Sequence, residues 1–354
     1  MQMEKIKLKN TLGVIGGGQL GKMIGISAAK LGIKSYFFDP DKNAPSKDIS
    51  NTFYNYKYDN KTKLLEFAKK CDFITYEFEN IPINSLKIIE KKSNLFPNIN
   101  TLKISQDRHL EKNFVNGLGI KTAKYKTINN SLDIENFLKK NSGTGIIKTR
   151  KLGYDGKGQF KVQLKSFKKK LDIVPNKFII EQFIPFQKEI SVIAIRQNNG
   201  KVKTFEPTEN YHKAGILRNT KFPSSLSNLC LAKAKKIAKQ IIRKLDIVGI
   251  LAVEMFVMKN EEIIVNEIAP RPHNSGHWTL DGCNISQFDA LVRTIFSLPI
   301  PKIVYSKKCK MINLLGENFN DYKQALNKSN HSIYIYGKTK IKKLRKMGHI
   351  NIVN

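Results

Sequence analysis

The stretch ILAVEMFVMKNEEIIVNEIAPR, Ile250 to Arg271, decides how the rest of the chain is read. Apolar, β-branched and aromatic residues flank a polar centre, which predicts two strands, Ile250 to Met258 and Ile263 to Ile268. Joined by a two-residue turn at Asn260-Glu261, they pair so that Glu254 lies directly opposite Glu267. Opposed carboxylates repel, so on a buried face they make sense as ligands of Mg2+ held together with phosphate oxygens. The competing reading is a pair of chance surface acids, because Asn-Glu is not a favoured turn pair and a one-residue slip sends the two acids to opposite faces. The charge balance favours a cation: residues 251–300 carry six acids against three bases, the reverse of the balance elsewhere.

Directly after the second strand comes Ala269-Pro270-Arg271-Pro272-His273-Asn274-Ser275-Gly276-His277-Trp278, a loop dense in donors that suits an anion and a reaction site. Arg271 brings a bidentate fork that lysine cannot replace, whereas His273 or His277 taken alone could equally be structural. Only eight of the 62 cations are arginine, and Arg108, Arg150, Arg218, Arg271 and Arg345 all fall in or beside the motifs described here.

Two glycine loops stand upstream. Gly16-x-Gly18-x-x-Gly21 follows an apolar strand and opens a helix-like run from Lys22 to Leu31, with Asp39 eighteen residues further on. This fits a dinucleotide fingerprint and raises a nicotinamide oxidoreductase, but the physics asks only for a phosphate or ribonucleotide approached by backbone N–H groups at a helix N-terminus. Asp39 could also be a turn residue. The second loop, Gly153-Tyr154-Asp155-Gly156-Lys157-Gly158-Gln159, follows the strand-like Ile146-Ile147-Lys148. Its glycines let amides fold over an anion, with Lys148 and Lys157 adding charge, as in a flexible phosphate flap. A plain hairpin tip is the other reading.

Length and composition bound the answer. The 354 residues suggest two or three cooperating domains, and 41% hydrophobic content supplies a core. A formal charge of +33 raises nucleic acid as a partner. The cations are spread along the chain, which fits solvated lysine faces better than a specific nucleic-acid surface. Cys71, Cys230, Cys283 and Cys309 lack metal-ligand spacing and read as buried small hydrophobes in a reducing cytosol. The stretch from Met1 to Asn10 has no secretory apolar region, and the longest apolar run, Val248 to Met258, is too short for a bilayer. The expectation is a cytoplasmic protein with no membrane partner.

Strands at Thr11, at Ser35 to Phe38 and at Asp72 to Tyr76 alternate with helix patterns, including Lys63 to Lys70, as in an open parallel sheet. A helix from Ser105 to Leu118 capped by Gly119 then opens a second region of short strands, Gly145 to Thr149, Phe160 to Leu164 and Phe178 to Phe183. An amphipathic helix follows from Ala232 to Leu245, and after Pro299 and Pro301 the tail carries strands at Lys310 to Leu314 and Ser332 to Tyr336.

Taken together, these residues resemble the 5-(carboxyamino)imidazole ribonucleotide synthases of purine biosynthesis, which are ATP-grasp ligases. The resemblance rests on Gly16 to Gly21, Tyr76-Glu77-Phe78-Glu79-Asn80, Gln106-Asp107-Arg108, Gly153 to Gln159, Glu181-Gln182-Phe183-Ile184, Gly215-Ile216-Leu217-Arg218, Asn266 to Arg271, and His273 to His277. It implies an α/β protein with an ATP-grasp fold. An N-terminal pre-ATP-grasp domain of open parallel sheet would span 1–104 and the ATP-grasp domain 105–300, with a β-rich mobile lid at about 122–185. A small C-terminal β subdomain would span 301–354.

For the nucleotide, the resemblance implies Arg108 and Lys148 at the phosphates, Gly153 to Gln159 as the flap, and Glu181, Gln182, Phe183 and Ile184 at the adenine through their backbone. Glu189 would accept from the ribose, His212 would line the pocket, and Glu254 and Glu267 would hold Mg2+ with Asn266 beside them. Bicarbonate would be activated as carboxyphosphate, with Arg271, His273 and Asn274 at that anion. Tyr154, Asp155 and Lys346 would surround the imidazole of aminoimidazole ribonucleotide, while Gly18, Gln19, Leu20 and Glu79 line the ribonucleotide side. Arg345 and Lys346 would belong to a basic C-terminal motif, Arg345 to His349. The resemblance suggests a homodimer. Family members commonly continue past this motif into a further helix, whereas this chain stops at Asn354. The alternatives are another ATP-grasp carboxylate–amine ligase, a nicotinamide oxidoreductase, and a basic nucleic-acid-binding protein.

Overall fold

The computed structural model describes residues 10–153, 158–167, 173–306 and 308–354. Three sheets organise them. The first is a five-stranded parallel sheet in which Thr11–Ile15 lies at the centre, between Lys34–Phe38 and Phe73–Tyr76. The central strand buries Leu12, Val14 and Ile15 completely, as expected of a parallel sheet covered on both faces. The helix Gln19–Ala29 starts three residues earlier than its pattern suggested, at the end of the glycine turn.

The second sheet has four antiparallel strands and contains the hairpin Thr144–Thr149 and Gln159–Gln163, with Phe178–Gln182 between the hairpin and Tyr125–Ile128. It has its own core of Ile128, Ile134, Phe137, Leu138, Ile147 and Ile180. The glycine loop Gly153 to Gln159 connects the two hairpin strands. Tyr154, Asp155, Gly156 and Lys157 lie outside the described residues.

The third sheet has nine strands and runs from Ile263–Ala269 across Gly249–Val257 and Lys188–Arg196 to the C-terminal strands. Its continuity was not legible in the sequence. Ile216–Phe222 pairs with Cys309–Leu315, so the tail extends this sheet through a third strand, Lys346–Val353, that the composition did not announce. Lys188–Arg196, Thr208–Lys213 and Ile216–Phe222 were likewise unmarked, their apolar residues being diluted by Lys, Glu, Asn and His. The expected helix from Ser105 to Leu118 is two helices, Ile99–Ser105 and Arg108–Gly117, because Asp107 breaks off in an extended conformation and caps the second by accepting from the His109 N–H.

The opening hairpin needs a more telling correction. Its loop is not a two-residue turn: Val257 pairs with Ile263, and Glu261 adopts φ +58°, as in a three-residue connection. That register alone would put Glu254 opposite Asn266. A bulge between Glu254 and Met255 on one strand and Glu267 and Val265 on the other absorbs one residue, Asn266, and returns Glu254 to the position facing Glu267. Two local departures cancel, so the acid pairing expected from the sequence stands for a different geometric reason.

Candidate active site

Glu254 and Glu267 face each other on adjacent strands, and the bulged Asn266 lines the same cleft as Glu254, Glu189, His212 and Phe256. Burial, then the charge of Glu267, push Glu254 up to about 7. For Glu267, burial opposes ionisation but Arg108 and then Lys148 override it, holding this carboxyl below its ordinary range. Arg108 Nη1 donates to Glu267 Oε2 at 3.2 Å. The Asn266 side-chain oxygen is buried with no hydrogen-bond partner. An unpartnered amide oxygen beside two opposed carboxylates fits a hard cation that completes its shell with phosphate and water oxygens, as Mg2+ does.

Behind this pair lies a charge cluster that pattern reading missed in part. Glu181, read as an adenine-side residue, is only 2% exposed; its Oε2 meets Lys148 Nζ at 2.8 Å and its Oε1 meets Lys112 Nζ at 3.4 Å. Lys112 also donates to the Asn266 carbonyl at 3.3 Å, tying the four-stranded sheet to the acid-bearing strand. Against the effect of burial, Lys112 and Lys148 hold Glu181 down to about 2, while burial depresses Lys148. Lys112 sits four residues after Arg108, one turn along the same helix face, and this spacing is the signal that could have found it. Glu111, pushed by burial up to about 8, accepts the Ile268 N–H at 2.6 Å and fixes the backbone next to Glu267. Asp107 grips Arg150 through two bonds of 3.0 and 2.7 Å.

At the far side of the cleft, His212 Nδ1 lies 2.7 Å from Glu189 Oε2, and this bond raises His212 although burial acts to lower it. Phe183 is 38% exposed and carries Lys161 over its ring at 4.3 Å; Gln182 is half-buried and Ile184 buried on the same connection.

The loop after Ala269 brings the remaining candidates in. Arg271 Nη2 lies 2.6 Å from Glu79 Oε1, joining the parallel-sheet domain to the cleft, and His273 Nε2 lies 3.4 Å from Glu254 Oε1. Burial raises Glu79. Both polar atoms of the Asn274 side chain are buried and unpartnered, as expected of a group awaiting a polar ligand. Gln287, unmarked in the sequence, holds this loop: its Oε1 accepts the His273 N–H at 2.9 Å and its Nε2 donates to the His273 carbonyl at 2.7 Å. Gly276 permits that contact, since a Cβ there would stand 2.5 Å from Gln287 Oε1. His277 and Trp278 are packed into the interior. His277 is fully buried, packing 4.8 Å from the His349 ring, and Trp278 stacks on Phe222.

The first glycine turn needs correction as a phosphate cradle. The Gly18 and Gly21 N–H groups donate to the Glu77 carboxylate at 3.0 and 3.2 Å, and Gly17 N–H donates to Asp39 Oδ2 at 2.6 Å. Glu77 therefore occupies the helix N-terminus where an anion was expected. Asp39 also accepts from the Tyr58 hydroxyl and the Asp41 N–H, which makes it the organiser of the turn. At the C-terminal motif, Arg345 donates to the Lys340 carbonyl at 2.9 Å, whereas the charge of Lys346 is felt at Glu254 and His277.

Three sheets meeting at a cleft with two opposed acids define an ATP-grasp protein. Residues 9–106, 113–288 and 309–354 match, in turn, the models of the ribonucleotide synthetase preATP-grasp domain, the ATP-grasp domain and the phosphoribosylaminoimidazole carboxylase C-terminal domain. The N5-carboxyaminoimidazole ribonucleotide synthase of Brucella melitensis is 37% identical over 98% of both chains. The bifunctional purine synthesis protein purC/E of Dictyostelium discoideum is 38% identical over 96% of this chain, which spans 37% of that longer protein. The N5-carboxyaminoimidazole synthetase of Staphylococcus aureus, solved with ADP, superposes with a TM-score of 0.90 at 34% identity, covering 100% of this chain and 95% of that one. An Aspergillus clavatus synthase in complex with ADP and 5-aminoimidazole ribonucleotide gives 0.88 at 28% identity, covering 98% and 94%. The chain belongs to the N5-carboxyaminoimidazole ribonucleotide synthase family.

Proposed function

We propose that this enzyme uses ATP and bicarbonate to carboxylate the exocyclic amine of 5-aminoimidazole ribonucleotide, releasing ADP and phosphate, in de novo purine biosynthesis. The observation that carries the reading is the opposed pair Glu254 and Glu267 in one cleft with Arg108, Lys148, Arg271 and His273. A bicarbonate oxygen attacks the γ-phosphorus and ADP leaves, giving carboxyphosphate. Its C–O bond to phosphate then breaks, the amine nitrogen bonds to the CO2 released, and the departing phosphate takes the amine proton.

The first step is governed by positioning and charge neutralisation rather than by a covalent nucleophile. Mg2+, when bound by Glu254 and Glu267 with Asn266 beside them, neutralises charge on the phosphate oxygens. Arg108 and Lys148 are assigned to the phosphates under the Gly153 to Gln159 flap, Glu181 to Ile184 to the adenine, and Glu189 and His212 to the ribose side. Arg271, His273 and Asn274 are assigned to the bicarbonate-derived anion. Gln19, Leu20, Glu79, Tyr154, Asp155, Arg345 and Lys346 are assigned to the ribonucleotide, with Gly18 bonded to Glu77 beside them. The unbridged cysteines suit a reducing compartment. We assign the enzyme to the cytosol, and the family resemblance suggests a homodimer.

The test is phosphate release from ATP with each co-substrate omitted in turn. Release that needs both bicarbonate and aminoimidazole ribonucleotide is expected; full release without bicarbonate would assign the site to another carboxylate–amine ligation.

A further inference from the structure

Resting on that reading, we propose that Ser275, backed by Ser191, is a positioning residue that locks His273 in the neutral tautomer with its proton on Nε2. His273 then serves the reaction as a hydrogen-bond donor and not as the base that receives the amine proton.

The argument begins with a group whose role is unambiguous. The Ser275 backbone N–H lies 3.3 Å from His273 Nδ1, and an amide N–H only donates, so Nδ1 is an acceptor. Ser275 Oγ lies 2.8 Å from the same nitrogen. That hydroxyl accepts from Ser191 Oγ at 2.7 Å, which leaves its own proton for His273. Ser191 lies 3.2 Å from Thr208 Oγ1. Ser275 is fully buried, and Ser191 and Thr208 are each 2% exposed, so water does not compete for these bonds. Meanwhile Gln287 holds the main chain of His273 from both sides, which keeps the ring over Ser275.

With two donors on Nδ1, a proton there would face an amide N–H head on, and the ring proton belongs on Nε2. That nitrogen points toward Glu254 Oε1 at 3.4 Å. An anion entering beside Glu254 therefore meets an N–H donor. Nε2, already protonated, has no lone pair for the amine proton, in keeping with transfer to the departing phosphate.

The tautomer can be read without turnover, in long-range 1H–15N spectra of histidine-labelled protein, with His273→Gln to assign the ring. The native protein should show a pyridine-like Nδ1 and a protonated Nε2 at His273. Ser275→Ala removes the nearer of the two donors on Nδ1 and keeps the amide N–H, so the Nε2-protonated form should lose population without disappearing, and kcat should fall roughly tenfold, the lower end of what an orienting partner of an active-site imidazole contributes, with KM for ATP and for ribonucleotide within about twofold. Ser191→Ala should move both readouts the same way by less. A native ring protonated at Nδ1, or a Ser275→Ala protein with unchanged ring signature and kcat, overturns the proposal. Wild-type turnover in His273→Gln would also overturn it, and would leave the bicarbonate requirement standing as a separate question.

Discussion

Replacing His349 by Gln should flatten the acid sensitivity of this fold between pH 8 and 5.5. His349 is fully buried between Tyr336, whose hydroxyl lies 2.9 Å from its Nδ1, and the stacked Tyr334 ring at 4.5 Å. Burial pushes its imidazole down to about 3, against an ordinary value of 6.5. Between those two values the unfolded chain takes up a proton that the folded one refuses, so stability is lost as pH falls below 6.5. At pH 5.5, one unit into that window, the loss is between about 1 and 2 kcal/mol. With about 2.1 cal/mol/K of unfolding entropy per residue, the melting temperature of a chain of 354 residues falls by about 2 °C from this group.

Glu254 and Glu111, raised by burial, act in the opposite sense over the same range, because their protonation on acidification favours the folded state. The comparison is therefore a difference of differences: melting by scanning calorimetry at pH 8 and 5.5 in EDTA, wild type against His349→Gln. Wild type should lose about 2 °C more than the variant on acidification. Equal losses, or a greater loss in the variant, would refute the reasoning and mean that His349 is protonated in the folded protein. The consequence reaches the cleft, since His277, held down by burial and by His349, packs under the loop that carries His273.

Two further outcomes follow from the acid and lysine clusters. Glu267→Gln should lower turnover at least ~10²-fold, the scale lost with a key electrostatic group, while circular dichroism shows the fold intact; wild-type turnover would remove Glu267 from the metal site. Lys112→Met leaves Glu181 with Lys148 as its remaining partner and should cost about 3 kcal/mol, the lower end for a broken buried pair, and raise KM for ATP as Lys148 is drawn to Glu181. Adding Glu181→Gln should restore most of both, and a double variant no better than the single one would sink the idea that Lys112 acts through Glu181.

Local chemistry made much of this molecule legible. Strand-turn-helix alternation marked the parallel sheet, and the glycine-dense hairpin loop fell where the second sheet turns. What escaped were elements whose apolar residues are interrupted by polar ones: Lys188–Arg196 includes Glu189 and Ser191, and Lys346–Val353 includes His349 and Asn351, which break a period-two pattern. The first glycine turn was recognised as a turn and misread as a cradle. The acid that fills it, Glu77, comes from just past the end of another strand, Phe73–Tyr76, 59 residues away from Gly18.

The sequence by itself determined that two acids share a hairpin and that arginine, histidine and asparagine follow at its end, because pleat alternation and chain order are local properties. Tertiary structure alone decided which register the pair adopts, through the bulge at Asn266. It also decided which lysines neutralise Glu181, and that serines 84 residues apart meet to orient His273. Those contacts depend on how three sheets pack, and a buried polar group takes whichever partner the packing brings within reach, however distant along the chain.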